Sequence, residues 1–475
     1  MINRYFIEQF KLFFGLEPTN DQIKAIEQLG EFLLSTHNRE AFILRGYAGT
    51  GKTSLVGTLV RLLDSMEQKV ILMAPTGRAA KVFSQHASHT AYTIHKKIYR
   101  QRAFNGEGGN YVLADNLHQH TLFIVDEASM IANEGLSGNF GTGRLLDDLI
   151  EYVYSGQGCR LLLVGDTAQL PPIGEEESPA LMPYTIEGYG LTTIDLELNQ
   201  VVRQLDGSGI LWNATMLRQS IHDEIFPILP RVKFIGFPDI YNLPGNELID
   251  ALEESYSKVG QDETMVICRS NKRANIYNNG IRARILYKEE ELSGGDMIMV
   301  AKNNYFWAND YKETDFIANG DICIVRRVRR ERELYGFRFA DVTMRFPDYD
   351  DLEMEATVLL NTLQSEAPAL THEQQEQLFN AIMEDYADIP QKRERMKKLK
   401  TDPYFNALQV KYAYAVTCHK AQGGQWSHVY VDQGYITPEM MTPEYVRWLY
   451  TAFTRATEKL FLVNFPKEQS DISTK

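Results

Sequence analysis

The sequence predicts an α/β protein with two domains, each built on a parallel sheet covered by helices. Three observations carry that expectation. Short apolar runs, AFIL (41–44), KVILMAP (69–75), TLFIVDE (121–127) and RLLLVGD (160–166), recur through the first part of the chain. They are too short for helices and apolar on both faces, as strands buried on both sides must be. A second set follows: IDLEL (194–198), MVICRS (265–270), HVYVD (428–432) and KLFLVNF (459–465). The third observation is length. A chain of 475 residues exceeds what one hydrophobic core organises, so several domains are required.

Two stretches break the pattern. At 97–118, a Gly-rich turn separates two aromatic-bearing arms, which predicts an inserted β-hairpin. From 321 to 405 the chain opens on β-branched and aromatic residues alternating with charges, a strand pattern with one wet face. It reads as a small β insertion that turns polar and helical after about 351. The resulting division is 1–180, 181–320, 321–405 and 406–475, with the second domain resuming after the insertion.

Charge narrows the classes. Net charge is −14, which excludes a protein that coats duplex DNA by electrostatics alone. Charge is nonetheless clustered. Arg326, Arg327, Arg329, Arg330 and Arg332 form one basic group, and Lys392, Arg393, Arg395, Lys397, Lys398 and Lys400 another. The acidic stretch 348–388 lies between them, a candidate protein-docking surface or a solvated face. No run of about 18 apolar residues predicts a membrane span. Four cysteines without metal-ligand spacing predict a reduced, cytoplasmic protein with neither zinc nor disulfide.

One motif carries chemistry by itself. Residues 46–53 read GYAGTGKT, with a strand before and a helix pattern after. Gly46, Ala48, Gly49, Thr50, Gly51 and Ser54 belong to a loop whose amides can approach phosphates. Lys52 is expected to reach the β- and γ-phosphates, and the Thr53 hydroxyl to ligate Mg²⁺. VDEAS (125–129) ends another strand. Asp126 there is a candidate Mg²⁺ holder and Glu127 a candidate base for the attacking water. GDTAQLPPIG (165–174) follows a further strand, with Asp166 and Gln169 placed to sense a γ-phosphate.

With these residues in order, the chain resembles the superfamily 1 DNA helicases, and among them the 5′-to-3′ branch of RecD-like and Dda-like enzymes. TNDQ (19–22) resembles the adenine-reading segment, with Gln22 as the contact. APTGRAA (74–80) and AYTIH (91–95) resemble the first two DNA-contacting motifs. LNQVVRQ (198–204), NGDICIV (319–325), YAVTCHKAQGGQW (414–426) and YTAFTRAT (450–457) resemble the later ones. The resemblance implies two RecA-like P-loop domains with ATP and Mg²⁺ between them, and an SH3-like barrel as the β insertion. It implies arginine fingers at Arg203 and Arg455. It implies strand contacts from Pro75, Thr76, His95, Thr417 and His419. Tyr92, Phe306, Trp307 and Trp426 are candidate stacking platforms, and Phe104 a candidate duplex-splitting tip on the hairpin. Single-stranded DNA and its junctions with duplex are the implied substrates, a monomer the implied state, and repair or recombination the implied setting. Two other readings stay open: an ATPase that moves on single strands without unwinding, and a motor subunit of a larger recombination complex.

Overall fold

The computed structural model describes residues 2–101, 111–133, 141–201, 207–226, 229–308, 311 and 316–471. The chain begins with α1 (Ile2–Phe14) and α2 (Asn20–Leu34), then β1 (Glu40–Gly46), α3 (Lys52–Ser65), β2 (Lys69–Ala74) and α4 (Gly77–Ala87). Next come β3 (Ala91–Thr93), α5 (Ile94–Ile98) and a hairpin, β4 (Tyr99–Gln101) and β5 (Tyr111–Leu113). Then β6 (Thr121–Val125), α6 (Leu145–Ser155), β7 (Arg160–Gly165), α7 (Pro183–Glu187) and β8 (Thr192–Leu198) complete the first unit.

Its six strands lie in the order β3-β2-β6-β7-β1-β8, and all pairs are parallel. The period-2 alternation of β1 divides the core. Phe42 and Leu44 face Phe10, Leu29 and Leu59 from α1, α2 and α3. Ala41 and Ile43 face the opposite layer, with Leu149 and Val153 from α6. Both faces are covered, so a run such as AFIL carries no polar residue.

IDLEL corrects the sequence reading. It lies in β8, paired to β1 with Ile43 opposite Asp195, and so belongs to the first sheet rather than the second. Arg45 reaches Asp195 from the neighbouring strand, Nε to Oδ1 at 2.8 Å. The first sheet therefore runs to Leu198, past the boundary expected at 180. Apolar periodicity identifies a strand but not the sheet it joins.

The second unit holds α8 (Gly209–His222), β9 (Ile240–Leu243), α9 (Leu248–Lys258), β10 (Thr264–Cys268) and α10 (Asn271–Arg284). A closed barrel follows: β11 (Met297–Val300), β12 (Ile322–Leu334), β13 (Phe337–Phe346), β14 (Leu352–Leu359) and β15 (Leu408–Tyr412). Two of its strands, β11 and β15, lie outside the expected 321–405, because closure needs partners for both edges of the β12–β14 meander. Between β14 and β15 sit α11 (His372–Asp385) and α12 (Lys392–Lys400). Leu378, Ile382 and Leu399 from these helices pack on Phe337, Phe339 and Leu359 of the barrel. The chain then returns through β16 (Ala415–Thr417), α13 (Cys418–Ala421), β17 (Trp426–Asp432), α14 (Pro443–Phe453) and β18 (Ala456–Val463). The second sheet has the order β16-β10-β17-β18-β9 and is parallel throughout. No helix among the described residues is long and apolar enough to cross a membrane.

Five of the eleven acids between 348 and 388 are engaged within the chain. Asp348 pairs with Lys81 at 3.5 Å, Glu353 with Arg326 at 3.4 Å and Glu355 with Arg329 at 2.5 Å, while Asp351 pairs with Arg345 and Tyr335 donates to Asp385.

Candidate nucleotide site and interdomain groove

Parallel strands bring their C-terminal ends to one edge of a sheet, where open α/β folds bind ligands. Here that edge gathers Gly46 after β1, Asp126 after β6 and Asp166 after β7. The loop from Gly46 to Thr53 turns through Gly49 (φ +80°) and Gly51 (φ +81°), a conformation that costs any side chain. Gly51 is the N-cap of α3, so the helix amides open toward the loop. Lys52, the first residue of α3, reaches back and donates to the carbonyls of Gly46 and Tyr47. Thr50 is fully buried and donates to the Tyr47 carbonyl at 2.8 Å.

Gln22 braces this loop from behind. It is the N3 residue of α2, in a capping box with Thr19, and its Nε2 donates to the Thr50 carbonyl at 3.0 Å. Its buried amide thus fixes the loop's position. An adenine contact from Gln22 is a further role that this geometry leaves as a proposal.

The acidic residues sit in unlike environments. Burial and the neighbouring Glu127 push Asp126 up to about 7, against the pull of Lys52. A half-buried carboxyl beside the Lys52 ammonium and the phosphate loop suits a divalent cation, which would hold it ionised. Glu127 has φ +52°, unusual for a non-glycine residue and costing about 1–2 kcal/mol. It follows directly on Asp126, whose Oδ1 accepts from the Glu127 amide at 2.9 Å. Asp166 is also raised, first by burial, while Lys52 and the Tyr450 hydroxyl oppose the shift. Gln169 is buried and its Oε1 has no hydrogen-bond partner among the described residues, so an acceptor stands ready beside these carboxylates.

The second unit closes over this edge through residues that sequence reasoning missed. The Tyr450 hydroxyl accepts from the Ala48 amide at 2.9 Å and donates to Asp166 Oδ2 at 2.5 Å. Thr451 Oγ1 accepts from the Leu170 amide at 2.9 Å, and Gln422 Nε2 donates to the Leu170 carbonyl at 2.7 Å. Arg447 donates to the Thr167 carbonyl. The guanidinium of Arg218 on α8 lies 4.4 Å over the ring of Tyr47, inside the phosphate loop. Arg455 is buried within the second unit. Its guanidinium donates to the Thr451 and Gly424 carbonyls and to Thr454 Oγ1, so its reach toward a phosphate remains a proposal. Arg203 lies outside the described residues.

A groove runs along the same seam. Pro75 and half-buried Thr76 precede α4, whose N-cap is Thr76, with Oγ1 accepting from the Ala79 amide at 3.2 Å. Gly423 of the second unit approaches so closely that an added Cβ would stand 3.2 Å from Thr76 Oγ1. Thr417 and His419 line a cavity of about 470 Å³ together with Arg269, Ser270, Lys411 and Lys420. Burial pushes Lys411 down to about 8; burial and then Lys411 push Lys420 to about 8. Lys420 is nonetheless exposed and Lys411 half-buried, and two cations lining one cavity favour an anion between them. Arg269 and Ser270 follow β10 in the segment CRSN, where a cation at a parallel strand's C-terminal end was the available signal.

Other strand candidates are placed differently. Trp426 is 3% exposed and covered by Arg78, whose guanidinium lies 4.7 Å over its ring, so it is no open stacking platform. Its hydrophobic area is spent beneath the α4 seam. Trp307 donates Nε1 to the Asn406 carbonyl at 2.8 Å and packs edge-on with Phe306, 4.9 Å between centroids. Tyr92 is half-buried beneath Lys97, 5.2 Å from its ring. His95 packs against Tyr99 (5.7 Å) and Phe316 (6.2 Å), and burial pushes it down to about 4. It is neutral at pH 7 and stands at the hairpin base rather than among the groove's cations. The base of that hairpin pairs Tyr99 with Leu113, and its tip, with Phe104, lies outside the described residues.

Residues 19–225 match a family described as an AAA domain, and residues 412–463 one described as a UvrD-like helicase C-terminal domain. An uncharacterised protein of Acanthamoeba polyphaga mimivirus is 23% identical over 93% of this chain and 98% of its own length. The ATP-dependent RecD2 DNA helicase of Deinococcus radiodurans is 33% identical over 34% of this chain, which spans 19% of that protein. A Bacteroides Pif1 helicase crystal structure with ADP-AlF3 and single-stranded DNA covers 97% of this chain and 95% of its own, at 15% identity and a TM-score of 0.48.

Proposed function

The chain belongs with the superfamily 1 helicases of the RecD/Pif1 kind, and from that premise we propose that it couples ATP hydrolysis to 5′-to-3′ movement along single-stranded DNA and to duplex separation. The observation that supports this most is the shared seam. The phosphate loop is tied to the second unit through Tyr450, and Gly423, shortly after the cavity-lining Thr417 and His419, meets Thr76 across the same boundary. A change at one therefore strains the other, which is what a motor requires.

The residues divide the work. Lys52 and the loop amides bind phosphate, and Glu127 accepts the proton of the attacking water. Gln169 orients that water with its unpartnered Oε1. Thr53 and Asp126 would hold Mg²⁺, which supplies charge neutralisation at the phosphates. Arg455 and Arg203 are the proposed fingers, delivered from the second unit on closure. Thr76, Thr417 and His419 hold the strand through its backbone, without reading sequence.

Strand displacement on duplexes with a 5′ tail, a 3′ tail or no tail tests the reading, with Lys52→Ala as the inactive control. Unwinding from the 5′ tail alone is the expected result. ATPase stimulated by single strands with no unwinding from any tail would replace it with a translocase.

A further inference from the structure

The two basic clusters of the sequence have different fates in the fold. In the first, three of five arginines are neutralised: Arg326 by Glu353, Arg329 by Glu355 and Arg332 by Asp341. In the second, on α12, Lys392, Arg393, Lys397 and Lys398 are exposed, and none of their side chains has an ion-pair or hydrogen-bond partner among the described residues. The acids of α11 next to them, Glu373, Glu376 and Glu384, form no ion pair with α12. In a chain of net charge −14, the nine residues of α12 thus carry six cations against one acid, Glu394, and the four exposed cations span about 9 Å of the helix.

That helix is rigidly mounted. Leu399 is fully buried among Leu378, Ile382 and the barrel residues Phe337 and Phe339. Its C-terminal carbonyl at Lys400 accepts from Asn406 Nδ2 at 2.9 Å. The Asn406 carbonyl in turn accepts from Trp307 Nε1 and Asn304 Nδ2, both at 2.8 Å. Tyr305, between those two residues, packs its ring 4.4 Å from Tyr111 at the base of the hairpin. A continuous series of contacts therefore joins the basic helix to the hairpin, while the strand groove has its own cations elsewhere.

We propose that α12 is a docking surface for the phosphate backbone of duplex DNA ahead of the hairpin, with Lys392, Arg393, Lys397 and Lys398 as the contacting residues. This rests on the helicase reading and specifies where that activity holds the unopened duplex. Duplex is the fitting partner because it presents one charge per about 1.7 Å of axis, and each phosphate neutralised releases counterions.

The test uses the full chain with all four residues changed to glutamine (Lys392→Gln, Arg393→Gln, Lys397→Gln, Lys398→Gln). Binding to a 5′-tailed duplex and to the tail alone is titrated across salt. The slope of log affinity against log salt on the tailed duplex should fall by about 3–4, with at least about tenfold weaker binding, while the tail alone and its ATPase stimulation keep wild-type values. Arginine at the three lysine positions should preserve duplex affinity, since charge rather than shape is the contact. Unchanged duplex affinity and slope would overturn the proposal. Equal losses on duplex and tail would also overturn it, assigning α12 to the single-strand path. Wild-type protein that binds neither DNA would instead remove the helicase reading beneath it.

Discussion

The Tyr450 hydroxyl stands 2.5 Å from Asp166 Oδ2, across 284 residues of chain and between two domains. The same oxygen accepts the Ala48 amide of the phosphate loop. One phenol thus connects the loop that grips phosphate, a strand-end carboxylate and the helix α14 of the second unit. Tyr450→Phe removes the hydroxyl and preserves the ring, which is 1% exposed. A hydrogen bond to a charged group contributes about 1.5–3 kcal/mol. The expected result is a DNA-stimulated ATPase about tenfold slower, with nucleotide affinity little changed. Steady-state kinetics beside fluorescent-nucleotide binding separates the two quantities, and an unaltered kcat would deny Tyr450 a coupling role.

Glu127→Gln keeps size and hydrogen-bonding atoms but cannot accept a proton. General-base catalysis contributes about 10²–10⁴-fold, so turnover should fall by that order while ATP still binds. Lys52→Ala should instead lose binding, because the ammonium is the loop's charge. Turnover retained in Glu127→Gln would remove that residue from the base role and turn attention to Asp166.

The phosphate loop was legible because its residues are consecutive and their spacing is the chemistry. The hairpin and the β insertion were legible as breaks in periodicity, and closure of the insertion into a barrel only through the family resemblance. Tyr450 was not, since a tyrosine inside RWLYTAF reads as core on helical spacing. Trp426 failed for the opposite reason: a tryptophan beside a functional motif invites a stacking role, but Arg78 from the other domain covers it. His95 carries the same lesson, with Phe316 from far along the chain deciding its surroundings. In each case the deciding partner belongs to a different domain, and local sequence carries no record of it.

Gly77 opens α4 where the first domain meets the barrel. A Cβ added there would lie 2.9 Å from Asp321 Oδ1 and 2.9 Å from the Tyr349 hydroxyl. Both are held in place, because Tyr349 donates to Asp321 Oδ2 at 2.7 Å. Gly77→Ala therefore pushes α4, with Thr76 at its head, away from the barrel. Overpacking of this kind costs about 1–3 kcal/mol. Lower thermal stability should come with weaker single-strand binding, measured by fluorescence anisotropy. A variant with wild-type values of both would show that the seam yields freely.

The same Asp321 makes stability depend on pH in a definite direction. Burial pushes its carboxyl up to about 7, against hydrogen bonds from Tyr349 and the Ala318 amide. A folded-state value above the unfolded one, about 3.9, means the folded chain binds the proton more tightly. Its contribution is complete below the unfolded value and is lost as pH rises through about 7. His95 runs the other way: its folded value near 4 makes stability fall as pH drops below about 6.5. Only the difference between wild type and Asp321→Asn isolates the carboxyl. Asparagine cannot ionise, so wild type should lose stability relative to the variant between pH 4 and 7, at about 1.4 kcal/mol per tenfold change in proton affinity. Denaturant unfolding of both proteins at pH 5 and pH 8 measures this directly. A difference that stays constant, or grows in favour of wild type at pH 8, would mean that Asp321 is ionised in the folded chain and held by its donors.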